Sequence, residues 1–187
     1  MNYTQIQSEI ASWLNRDDLT EKIPTFIELV EARLNRMMRV RQMETAMAST
    51  AIASNIITPD ADTLEPKVLW RPGFEQLPLK ASPLEMVIAN GTTGVPTMYA
   101  WNGTDLYFDG TGNIQGVLYE KIPPIATNTT NWVGDSYYGL YVFGALAEAA
   151  LFIGDDPTAW LARFDQIANE MRVNDQRMHG PLAVKAR

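Results

Sequence analysis

A chain of 187 residues, 46% apolar and 20% charged, is long enough for a helical domain carrying a smaller lobe and can bury a sizeable core. It has no cysteine, which excludes disulfides, thiolate metal sites and cysteine nucleophiles. A net charge of −7, from 22 acidic and 15 basic residues, argues against a DNA-gripping protein, because avid duplex binding draws on a cationic surface. It is compatible with a wall past which DNA slides.

The opening residues Met1–Gln5 form neither a basic nor an apolar leader region. No apolar run reaches the ~18 residues of a membrane span, since Leu140–Ile153 is interrupted by Gly144 and Glu148. A soluble protein made in a cytoplasm is expected. The spacing of Thr4 and Gln7 suits a capping box, and Ile6, Ile10, Trp13 and Leu14 recur at helical intervals, which predicts a helix over 4–15. A second helix is expected over 23–42, with Pro24 in its first turn and Phe26, Ile27, Val30, Leu34, Met37 and Met38 as its apolar stripe. Glu28 and Glu31 lie toward its start, while Arg33, Arg36, Arg39 and Arg41 lie toward its end, as the helix dipole favours.

From Thr45 to Ile125, prolines at 59, 66, 72, 78, 83, 96, 123 and 124 exclude long helices and confine strands to short pieces. Asn102-Gly103 between 97–101 and 104–109 predicts a hairpin with a type I′ turn. A further turn at 110–113 leads to a third meandering strand over 114–121, with 64–70 and 84–89 as weaker strands. Helix returns at Asp135 or Ser136 and runs to about Ile153, rich in glycine and alanine. Asp156 and Pro157 then open a last helix to about Arg177, with Trp160, Phe164, Ile167 and Met171 facing the core. The fold class expected is α+β, mainly helical. Residues 1–44 and 129–177 supply a four-helix core, 45–128 form an inserted small antiparallel β lobe, and 178–187 form an extended tail.

Few residues offer chemistry. His179, the single histidine, falls in a stretch with no regular pattern, whereas a triad or metal site needs its imidazole held by a packed shell. Asp105, Asp109 and Glu120 lie on or beside the predicted hairpin near Trp101 and Tyr107, as in a sugar-binding cleft or a glycosidase. Solvent-facing turn acids explain them more simply. Residues 109–113 resemble a calcium loop but lack its alternating acids and distal glutamate. The four arginines at the end of the second helix suit a subunit contact or a channel lining better than a DNA backbone contact, given the acidic total.

The run Ile23-Pro24-Thr25-Phe26-Ile27-Glu28-Leu29-Val30-Glu31-Ala32-Arg33-Leu34-Asn35-Arg36, followed by Arg39 to Glu44, resembles the N-terminal signature of head-to-tail adaptor (connector) proteins of tailed bacteriophages. Gly94-Val95-Pro96, Tyr119 to Pro123, Asn131-Trp132, the alanine-rich Tyr141 to Ala150 and the pair Asp155-Asp156 are similar to later parts of that family in order and spacing. The resemblance covers roughly residues 3 to 177, and Leu69 to Ala81 departs from it. It implies a structural virion protein without catalysis or cofactor, in a ring of twelve copies at the head–tail interface. The portal protein would lie above the ring, downstream tail proteins below it, and DNA would pass through a central channel. It also implies that a C-terminal segment, Gly180, Pro181, Leu182, Ala183, Val184, Lys185 and Arg187, reaches portal or neighbouring subunits. Two other readings stay open on the residues: a carbohydrate-binding or baseplate-like module using Trp101, Asp105 and Tyr107, and a peptidoglycan-cleaving protein using an acid among Glu120, Asp105 and Glu148.

Overall fold

The computed structural model describes residues 1–91 and 93–178. Helix accounts for 49% and strand for 20% of the chain, so the fold is α+β and mainly helical. The chain divides into two compact units: Met1–Gln42 together with the chain from Ile122 onward, and Met43–Lys121 between them.

The helical unit begins with α1 (Tyr3–Leu14). Its capping box uses Asn2 and Gln5 rather than Thr4 and Gln7. The Gln5 N–H donates to the Asn2 side chain at 2.9 Å and the Asn2 N–H to the Gln5 side chain at 3.0 Å. A 3₁₀ turn, Asp17–Lys22, leads into α2 (Ile23–Met37). This helix stops short of the expected residue 42. Met38 is extended, and the Arg39 guanidinium covers the freed carbonyls of Asn35 and Met38.

After the short helices α3 (Leu84–Ala89, in the other unit) and α4 (Ile125–Asn128), α5 (Trp132–Ser136) is capped by Asn131, whose side chain accepts the Gly134 N–H. Asp135 and Ser136 are therefore inside a helix and do not cap one. The chain breaks at Tyr137 and restarts as α6 (Gly139–Ile153), which ends on left-handed Gly154. The final helix, α7 (Thr158–Met178), is held at its start by Asp156, which accepts both the N–H and the hydroxyl of Thr158.

α6 packs against α1, α2 and α7 and is buried on almost every side, from Leu140 to Ala150. Small residues make that possible. A Cβ at Gly144 would lie 2.7 Å from a Val30 methyl and 3.2 Å from the Phe164 ring. Phe164 and Met171 are buried as expected, whereas Trp160 is partly exposed and stacks on Phe143.

The second unit holds β1 (Glu44–Ala51), β2 (Ile56–Ile57), β3 (Thr63–Trp70), β4 (Lys80–Ala81), β5 (Met98–Trp101), β6 (Leu106–Phe108) and β7 (Asn113–Glu120). They form two sheets, β1-β7-β3 and β2-β6-β5-β4. Several local expectations need correction. β5 and β6 do form a hairpin, but Trp101 pairs with Leu106, so the loop is 102–105 and not a two-residue type I′ turn. The Asn102 side chain closes it by accepting the N–H groups of Thr104 and Asp105.

β7 does not continue a meander. It lies between β1 and β3, with Ile114 and Leu118 buried. Gly116 allows the close approach, because a Cβ there would fall 2.3 Å from the Val68 carbonyl oxygen. Residues 84–89 are helix rather than strand: the Pro83 carbonyl accepts the N–H groups of Met86 and Val87, which starts the helical turn. The lobe is antiparallel as expected apart from the two-residue pairing of β4 with β5, which is parallel.

Candidate functional site

The most connected polar group is inside the helical unit. Glu31, on α2, is 9% exposed and Tyr141, on α6, is fully buried. One Glu31 carboxylate oxygen accepts the Tyr141 hydroxyl at 3.0 Å and the Ile125 N–H at 2.8 Å. Asn131 donates to the Tyr141 oxygen at 2.8 Å and to the Pro123 carbonyl at 2.7 Å. The Asn35 side chain accepts the Ile122 N–H at 2.9 Å. Burial pushes the Glu31 carboxyl above its ordinary range, against the two hydrogen bonds that favour the anion. Burial also drives the Tyr141 hydroxyl well above the usual phenol range. Every partner is a local scaffold group, so this network fastens α2 to α6 and to the segment entering α5. Glu31 lies outside the apolar stripe read from the sequence, yet it is buried.

The four arginines have separate roles. Arg33 lies over the Phe164 ring, 4.9 Å from its centroid, with Glu148 at 4.0 Å. Arg39 covers the end of α2, and the Arg41 backbone N–H donates to Asp175 at 2.9 Å. Arg36 is exposed on α2. Gly180, Pro181, Leu182, Ala183, Val184, Lys185 and Arg187 lie outside the described residues, as does His179.

In the β-rich unit, Asp109 is only 4% exposed, not solvent-facing. It accepts from the Thr97 N–H and hydroxyl, the Met98 N–H and the Asn90 side chain at 2.7–3.0 Å. Burial opposes its charge, but these donors together hold its pKa below the ordinary value. Asp105 accepts the Thr58 hydroxyl and Glu120 the Thr45 hydroxyl. Asp109 points inward, to the segment before β5, and these partners give the three acids structural work.

The helical unit exposes an aromatic cluster. Trp13 is 51% exposed, with its ring edge-on to Phe143 at 6.1 Å and to Trp160 at 5.7 Å, while Phe143 and Trp160 stack at 6.2 Å. The Trp13 indole N–H donates to Glu9 at 2.9 Å. Clefts of about 430 and 400 Å³ flank these rings, each also reaching Ile167 and Glu170. Trp13 shares the helical spacing of Ile6 and Ile10, which are buried, yet is itself half exposed.

The sequence matches the SU10 adaptor protein family over residues 1–185. The chain belongs to that family. It is a family of phage head-to-tail adaptors, and no curated protein matches the chain. An SU10 adaptor protein is a structural component of the phage particle, associated with portal and tail proteins. Trp13 of the aromatic cluster and Arg36 are exposed on the helical unit of this adaptor. Among the described residues no group of acids or histidine is placed to hold a metal ion, and no helix is long and apolar enough to cross a membrane.

Proposed function

We propose that this adaptor works by assembling into a ring of twelve copies that joins the portal to the tail and leaves a central channel for DNA. The observation that carries the reading is the family match over residues 1–185. The net charge of −7 supports a channel that lets DNA pass without holding it. Residues Gly180, Pro181, Leu182, Ala183, Val184, Lys185 and Arg187 form a segment that docks on the portal or a neighbouring copy. Its apolar residues enter a groove there and its cations pair with acids.

Deleting residues 178–187 tests the docking segment. The truncated chain should keep its circular dichroism and its melting temperature, while phage assembly yields heads that fail to join tails. Normal head-to-tail joining by the truncated protein would remove the segment from the mechanism.

A further inference from the structure

The helical unit carries two unlike exposed faces. One is the aromatic cluster of Trp13, Phe143 and Trp160. Around the clefts that share Trp13, the carboxylates of Glu9, Glu170, Asp155 and Asp156 outnumber the guanidinium groups of Arg16 and Arg163. Arg16 is moreover already paired with Asp18 at 2.7 Å. The face is therefore concave, aromatic and acidic.

The other face is a basic ridge. Lys22, Leu29 and Arg36 recur at seven-residue intervals, two helical turns apart, and all three are exposed. Leu29 is 46% exposed. Beside them Phe152 of α6 is 60% exposed and leans edge-on against Phe26 of α2, with ring centroids 5.8 Å apart. The ridge thus has an apolar centre with cations at both ends. Phe143 and Phe152 stand nine residues apart on α6, which at about 100° per residue places them half a turn apart. The two faces accordingly point in opposite directions.

We propose that these faces meet head to tail, the Trp13–Phe143–Trp160 face of one copy receiving the Leu29–Phe152 ridge of the next. The inference rests on the ring reading and names the copy-to-copy contact within it. Charge selects this occupant. A two-fold contact would set the acidic face against itself, or the basic ridge against itself, whereas acid against base is attractive. Two complementary patches on opposite faces make a heterologous contact, the kind that repeats around a ring. Aromatic side chains with an arginine are also the usual composition of an energetic centre.

Trp13→Glu and Phe152→Glu test it, each alone and mixed in equal amounts, by sedimentation velocity up to the solubility limit. Both side chains are at least half exposed, so melting temperatures should match the parent. The parent should form large assemblies and each variant alone should remain monomeric. The mixture should form dimers and nothing larger, because each pair retains one intact cleft and one intact ridge. Variants that assemble like the parent, or a mixture that stays monomeric, would overturn the contact. Arg36→Glu and Glu170→Arg provide a second arm independent of the aromatic residues: each should weaken assembly, and combining them in one chain should restore it. A lack of restoration counts against the pairing. A parent that never self-associates would sink the ring reading as well, while a parent that assembles with every variant unaffected sinks only this interface.

Discussion

Replacing Phe164 by alanine should remove one of the largest fully buried side chains of the helical unit. The ring is fully buried, meets α6 at Gly144 and supports the Arg33 guanidinium on its face. Truncating such a side chain costs about 3–5 kcal/mol. In a chain of this size that corresponds to a fall in Tm of roughly 10 °C. Trp160→Ala should cost less, because Trp160 is partly exposed and rests on Phe143 at the surface. Thermal melts of the two variants check the ordering. Equal losses, or a larger loss for Trp160→Ala, would mean that α7 is not seated on α6 through Phe164.

The second large effect concerns Glu31. Glu31→Ala leaves the Tyr141 hydroxyl and the Ile125 N–H without their acceptor in a buried site. Two unsatisfied donors make the loss about 2–4 kcal/mol. Glu31→Gln keeps an acceptor oxygen and removes the charge, so it should be no less stable than the parent at neutral pH. The sign of the pH dependence follows from the raised pKa. The folded state holds the Glu31 proton more tightly than the unfolded chain does. Stability linked to this group is full below the unfolded pKa and is lost as pH rises through the folded pKa. Asp109 has the opposite sign, because its folded pKa is depressed. Its contribution is present above the unfolded pKa and is lost as pH falls through the folded one. Denaturant titrations across the acidic range should show the alkaline-side loss in the parent and not in Glu31→Gln. Superimposable pH profiles would remove Glu31 as its source.

The helices were legible because their signals are local. Pro24, the stripe from Phe26 to Leu34, and the Asp156-Pro157 start each act over one or two turns, and α2 and α7 begin where those residues place them. Their ends were less so, since α2 stops where Arg39 covers its carbonyls, a choice that lies beyond the periodic stripe. Strand pairing was not legible. β1 is mostly exposed alanine, serine and threonine with no buried alternation, and its partner β7 is separated from it by more than sixty residues of chain. The Asn102-Gly103 pair marked a real turn, but the Asn102 side chain made a longer loop than the dipeptide suggests.

The candidate site divides the same way. Arg36 is exposed, while Arg33 is taken up by Phe164 and Glu148, partners that only tertiary packing brings near. Glu31 occupies what spacing marks as a charged face, and only the fold of residues 122–131 back onto α2 buries it. Trp13 is the reverse case, an aromatic at the spacing of the buried Ile6 and Ile10 that packs edge-on at the surface.

The central claim is that this adaptor acts as a ring between portal and tail, and imaging tests it most directly. Electron cryo-microscopy of the particle's head-to-tail junction should show twelve copies of the chain in a closed ring around an open channel, in contact with the portal. The chain located elsewhere in the particle, or bound at the junction as separate copies that do not close a ring, would contradict the account.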